Sequence, residues 1–121
     1  MVRTYGLTHI NLVVRDVERS LWFYGQVFGV EEYGPTEGLV HTRTPGCQDV
    51  ITFDGHSSGA GESPGIPHFG FRLVSPGDID AAVDEVERAG GKLLRRGEFC
   101  PGCPYAFVTD PDGYEVEIWY E

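Results

Sequence analysis

The sequence is short of positive charge: nine Lys and Arg stand against 19 Asp and Glu in 121 residues, a formal net charge of −10. A nucleic-acid face needs a Lys/Arg surplus to neutralise phosphates, so that class of partner is excluded, as is docking on anionic lipid. No apolar run approaches the roughly 20 residues of a membrane-spanning helix. The opening residues, Met1 to Gly6, hold no apolar stretch of the signal-peptide kind. Cysteine is scarce and odd in number, three in all. That is no disulfide framework, and a reducing, cytoplasmic setting is the expectation. Cys100 and Cys103 form a CxxC that precedes a strand rather than opening a helix, so it reads as a tight, reduced turn.

What is present is enough for a core, with 40% hydrophobic and 12% aromatic residues. The length allows one domain, or two fused half-size modules. Thr8–Arg15 alternates as a strand, with Ile10, Leu12 and Val14 on one face and His9, Asn11 and Val13 on the other. Asp16 offers an N-cap oxygen, Val17, Leu21, Tyr24 and Phe28 make one helical stripe, and Gly29 closes the helix. Strands follow at Val30–Tyr33, Leu39–Thr44 and Asp49–Asp54, punctuated by Gly34-Pro35 and Pro45-Gly46. Residues 55–67, rich in Gly, Ser and Pro, read as a loop that is long for a compact domain.

The pattern then restarts. His68–Val74 is a strand with Phe69, Phe71 and Leu73 as its apolar face. Asp78 can cap a helix whose buried stripe is Ile79, Ala82, Val83 and Val86, ended by Gly90-Gly91. Lys92–Arg96, Tyr105–Thr109 and Tyr114–Tyr120 supply three more strands, the last two joined by the turn Asp110-Pro-Asp-Gly113. His9 recurs as His68 and Gly29 as Gly90 at nearly the same offset. The expectation is an α+β fold from a duplicated βαβββ unit. Module one covers about 5–55, loop 55–67 links the halves, and module two covers about 68–121 of a single domain.

Strand parity carries the chemistry. The apolar face of each first strand should pack under its helix, which turns His9 and His68 the other way. On the last strand Tyr114, Val116, Ile118 and Tyr120 form the apolar face, and Glu115, Glu117 and Trp119 face away. A lone strand histidine is more often a hydrogen-bonded structural residue. Three such donors on repeat-related strands instead suit a divalent metal, Fe, Mn, Zn, Ni or Co, with room left for substrate.

His9, the segment Asp16–Tyr24 ending at Phe28-Gly29, His68, and the hairpin Asp110–Glu117 resemble the vicinal oxygen chelate superfamily. That group includes glyoxalase I, bleomycin- and fosfomycin-resistance proteins and extradiol dioxygenases. The resemblance implies paired βαβββ modules in a curved half-barrel sheet around a metal cleft, a homodimer, a small-molecule substrate, and metal ligands at His9, His68 and Glu117. It also implies where this sequence departs. The carboxylate that glyoxalase I carries on the last strand of module one falls at Thr52, and a Tyr common in dioxygenases and fosfomycin-resistance enzymes falls at Phe107. Tyr105, on the same strand face, is then the catalytic hydroxyl beside Glu117, with His41 and His56 as further proton-transfer candidates. Trp119, Arg72, Phe107 and Thr52 are the substrate-side residues, and Arg72 can also pair with Glu115. The function implied is a metal-dependent dioxygenase, lyase, isomerase or transferase acting on vicinal oxygens. The alternative is a metal-free protein that sequesters a drug or metabolite.

Overall fold

The computed structural model describes residues 1–36 and 38–121, with the side chains of Pro35 and Thr36 left aside. The chain divides into two compact units, Met1–Ala60 and Gly61–Glu121. The first holds β1 (His9–Val13), α1 (Val17–Phe28), β2 (Glu31–Thr36), β3 (Leu39–Arg43) and β4 (Val50–Asp54). The second holds β5 (Phe69–Arg72), α2 (Ile79–Arg88), β6 (Lys92–Glu98), β7 (Pro104–Thr109) and β8 (Glu115–Trp119). The two sheets have matching strand orders, β1-β4-β3-β2 and β5-β8-β7-β6. In each, the first strand runs parallel to the last and the remaining pairs are antiparallel. The fold is α+β, the same four-stranded unit built twice.

In the first unit Asp16 caps α1: its Oδ1 accepts from the backbone N–H of Arg19 at 3.1 Å, which satisfies one orphan donor of the first turn. Gly29, at φ 69°, closes the helix in the left-handed conformation that a Cβ would penalise. The buried stripe is Ser20, Phe23 and Tyr24, whereas Val17, Leu21 and Phe28 are only half-buried. The expected stripe is therefore rotated. The small Ser20 brings that face of the helix against the sheet, and Phe23 meets Tyr24 edge-on at 5.2 Å. Tyr24 packs at 5.3 Å on Phe53 of β4. Strand β2 runs on through Gly34-Pro35 with a register shift, rather than stopping there. As an edge strand it tolerates a proline that cannot donate to the ladder.

In the second unit Asp78 makes no side-chain cap. A 3-10 turn over Pro76–Asp78 leads straight into α2, so Asp78 already has helical backbone and lacks the extended geometry of a cap. Ile79, Val83, Val86 and Ala89 are buried against β6, β7 and β8. Strand β5, at the sheet edge, leaves Phe69, Phe71 and Leu73 only half-buried, short of the close helix packing expected of them. Cys100 and Cys103 are joined by a disulfide across the tip of the β6–β7 hairpin, which corrects the reading of that turn as reduced. The hairpin brings the two residues within bonding reach, with Cα atoms 5.2 Å apart.

The β7–β8 turn is held by one carboxylate. Asp110 Oδ1 accepts from the N–H groups of Asp112 and Tyr114, both at 2.9 Å, and Asp110 is 3% exposed. Asp110→Ala removes that acceptor and orphans two turn amides. We expect a loss of about 2–4 kcal/mol in urea unfolding; an unchanged midpoint would show that water replaces the carboxylate.

Candidate functional site

In both units the face opposite the helix carries the polar residues, as β1 and β8 show. Leu12 and Val14 are buried while His9 and Asn11 are exposed. On β8, Val116 and Ile118 are buried, and Glu115, Glu117 and Trp119 are half-buried on the other side.

The second unit brings two of the expected donors together. His68 Nε2 lies 3.4 Å from Glu117 Oε2, with side-chain exposures of 38% and 14%. Phe107, in register with Glu117 on β7, meets the His68 ring edge-on at 4.9 Å. Gly70 is the β8-facing partner of Glu117, and a Cβ there would stand 3.3 Å from both Glu117 Cβ and Trp119 Cδ1. The absent side chain is what lets the carboxylate and the indole share this face. The alternation of the strand puts Gly70 on the polar face with His68 but gives it no role, although a glycine inside a strand is a readable sign of close approach.

The neighbouring carboxylate is engaged elsewhere. Arg95 donates to both Glu115 oxygens at 2.9 and 3.3 Å and lies 4.0 Å over the Phe107 ring. That hydrogen bonding holds Glu115 below the usual carboxylate range and raises Arg95. Arg72 therefore does not pair with Glu115. It is in register with Trp119, four residues along β8 and about 13 Å from Glu115 at strand rise. Its guanidinium sits 5.5 Å over the Trp119 ring and donates to the backbone carbonyl of Glu121. Tyr105 contacts Phe107 at 5.7 Å, stacks on Phe99 at 4.5 Å, and lays its phenol across Gly97.

In the first unit Thr52 is in register with Asn11, as Glu117 is with Gly70, so the two occupy equivalent positions. Thr52 is 1% exposed, and its Oγ1 lies 3.2 Å from His9 Nε2 and 2.7 Å from His41 Nδ1. His56 sits apart in the loop after β4. Its backbone N–H donates to Asp54, whose carboxyl is lowered chiefly by the Ser57 hydroxyl and then by the His56 and Ser57 amides. Among the described residues, neither unit alone gathers three His, Cys, Asp or Glu side chains into one cluster. No helix among them is long and apolar enough to cross a membrane.

The family model for the Glyoxalase/Bleomycin resistance protein/Dioxygenase superfamily matches residues 6–118. Metapyrocatechase of Geobacillus stearothermophilus is 29% identical over 95% of this chain, which spans only 34% of that protein's length. A Vibrio parahaemolyticus protein named "Probable lactoylglutathione lyase" is 31% identical over 93% of this chain and 88% of its own. The crystal structure of the fosfomycin resistance protein FosX from Mesorhizobium loti shares the fold. Its TM-score is 0.77 at 18% identity, covering 98% of this chain and 94% of that one. With matched residues running from before β1 to within β8, the chain belongs to the Glyoxalase/Bleomycin resistance protein/Dioxygenase superfamily.

Proposed function

We propose that the chain is a divalent-metal-dependent enzyme acting on a small metabolite with vicinal oxygens, with His9, His68 and Glu117 as its metal-holding residues. The observation that carries this reading is the approach of His68 Nε2 to Glu117 Oε2 at 3.4 Å on the face opposite α2. An imidazole beside a carboxylate suits the borderline ions Fe, Mn, Zn, Ni and Co. His9 begins β1 as His68 precedes β5, and it supplies the third donor, from the same chain or from a second copy. When bound, the metal supplies Lewis-acid polarisation of two substrate oxygens, or oxygen chemistry if it is iron.

The surrounding residues have roles that follow from their contacts. Phe107 fixes the plane of the His68 ring, and Gly70 leaves Glu117 free to lean across β5. Trp119 and Arg72 form the substrate wall beside Glu117, with a ring and a guanidinium for a planar or anionic group. Tyr105 is the hydroxyl on the Phe107 face of β7 to which we assign proton transfer, its phenol lying over Gly97 of β6 rather than against Glu117. Thr52 supplies a hydroxyl where the second unit has a carboxylate, so the second carboxylate of the lyase type is missing and a dioxygenase-like reaction is favoured; transferase chemistry uses the same donors. The reading carries a homodimer and a cytoplasmic setting with it, although the Cys100–Cys103 disulfide removes the reduced-cysteine argument for that setting.

Elemental analysis of protein purified without chelators tests the reading. About one metal per site is expected, and iron would favour oxygen chemistry where zinc, nickel or manganese would favour lyase or transferase chemistry. If His9→Ala, His68→Ala and Glu117→Ala all leave metal content unchanged, the assignment is wrong. Saturable ligand binding by demetallated protein without turnover would point instead to sequestration.

A further inference from the structure

We propose that His41 is an additional metal-donor residue, supplying from the neighbouring strand the ligand that position 52 does not. The proposal rests on the reading of this protein as a divalent-metal enzyme and names a residue that the three-donor set leaves out.

Glu117 on β8 has Phe107 as its cross-strand partner on β7, and Thr52 on β4 has His41 as its partner on β3. The second unit thus sets a carboxylate beside an apolar ring, and the first sets a hydroxyl beside an imidazole. A neutral hydroxyl is a weak ligand for a divalent cation, whereas an imidazole is a strong one. Between the two units the strong donor has moved across by one strand.

The geometry brings this imidazole to His9. His41 Nδ1 and His9 Nε2 lie 2.7 and 3.2 Å from the same atom, Thr52 Oγ1. Thr52 has one proton to donate, so it satisfies the lone pair of one ring only, and the other ring must turn an N–H toward it. A cation seated beside the hydroxyl takes a lone pair from both rings at once, each ring then carrying its proton on the outer nitrogen. The His41 ring is flanked by Tyr33, at 6.0 Å and 33° between planes, and the Arg43 guanidinium lies 4.2 Å over the Tyr33 ring. The first unit therefore presents two converging imidazoles on a buried hydroxyl.

The test is titration of metal-stripped full-length protein with Co(II) and Zn(II), comparing wild type with His41→Phe, His41→Gln and Thr52→Val. Phe is chosen because it fills the equivalent place as Phe107, and Gln keeps a polar side chain should the aromatic disturb folding. Both His41 variants should bind at least about 10-fold more weakly, and in Cu(II)-loaded samples pulsed EPR should count one imidazole fewer than in wild type. Thr52→Val keeps both rings, so its affinity should stay within about threefold of wild type. If His41 only positions His9 through the hydroxyl, Thr52→Val will lose as much as His41→Phe, and the proposal falls. Unchanged affinity in both His41 variants also overturns it while leaving the three-donor reading intact. Unchanged affinity in His68→Ala and Glu117→Gln would overturn that earlier reading whatever His41 does.

Discussion

On the proposed metal reading, Glu117→Gln is expected to lower the affinity of the protein for divalent metal by at least about 100-fold. Loss of an outer partner that merely orients a ligand costs 10- to 100-fold, and this substitution removes the charge of a proposed ligand itself. The amide keeps the shape of the side chain, so its packing over Gly70 is retained and the change isolates the charge. Glu117 is only 14% exposed. A partly desolvated carboxylate of this kind interacts with a cation more strongly than one in open water. Glu115→Gln is the control on the same strand. Its carboxylate already serves Arg95, so removing it should disturb that ion pair and leave metal affinity near wild type. Isothermal titration of the two variants separates the roles. Equal losses would mean that the effect is general surface charge rather than ligation.

Phe53→Ala lowers folding stability by about 3–5 kcal/mol, the range for emptying a large aromatic from a closed core. Phe53 is fully buried and holds Tyr24 of α1 at 5.3 Å. It is therefore one contact through which the helix packs on the strand that carries Thr52. Against a total stability of about 5–15 kcal/mol, the loss would leave a visible unfolded fraction at mild denaturant. Chemical unfolding followed by fluorescence measures it. A cost under about 1.5 kcal/mol would mean that neighbouring side chains collapse into the space.

The facing of the candidate residues could be read from strand parity, because a period of two assigns every side chain to a face once one face is known to be apolar. This put His9 on one polar face and His68 and Glu117 on the other, while the match of Thr52 to Glu117 came with the family resemblance. Parity fails where the ladder slips. A register shift between Leu93 and Arg95 puts Arg95, not Leu94, opposite Phe107. It thereby delivers the guanidinium to Glu115, a pairing the sequence reading had given to Arg72. The contact of His41 with Thr52 needed the β3–β4 register, which neither strand states alone. Likewise the helix stripe was off by one position. Hydrophobic spacing alone favours Leu21 over Ser20, although a small residue packs more closely against a sheet.

The central claim is that imidazole and carboxylate from these strands hold one metal. X-ray absorption on the metal-loaded protein tests it most directly. The account predicts a nitrogen and oxygen shell at about 2.0–2.2 Å with the outer scattering of coordinated imidazole, diminished in His68→Ala. A shell of oxygen alone, unchanged by His68→Ala, would contradict it.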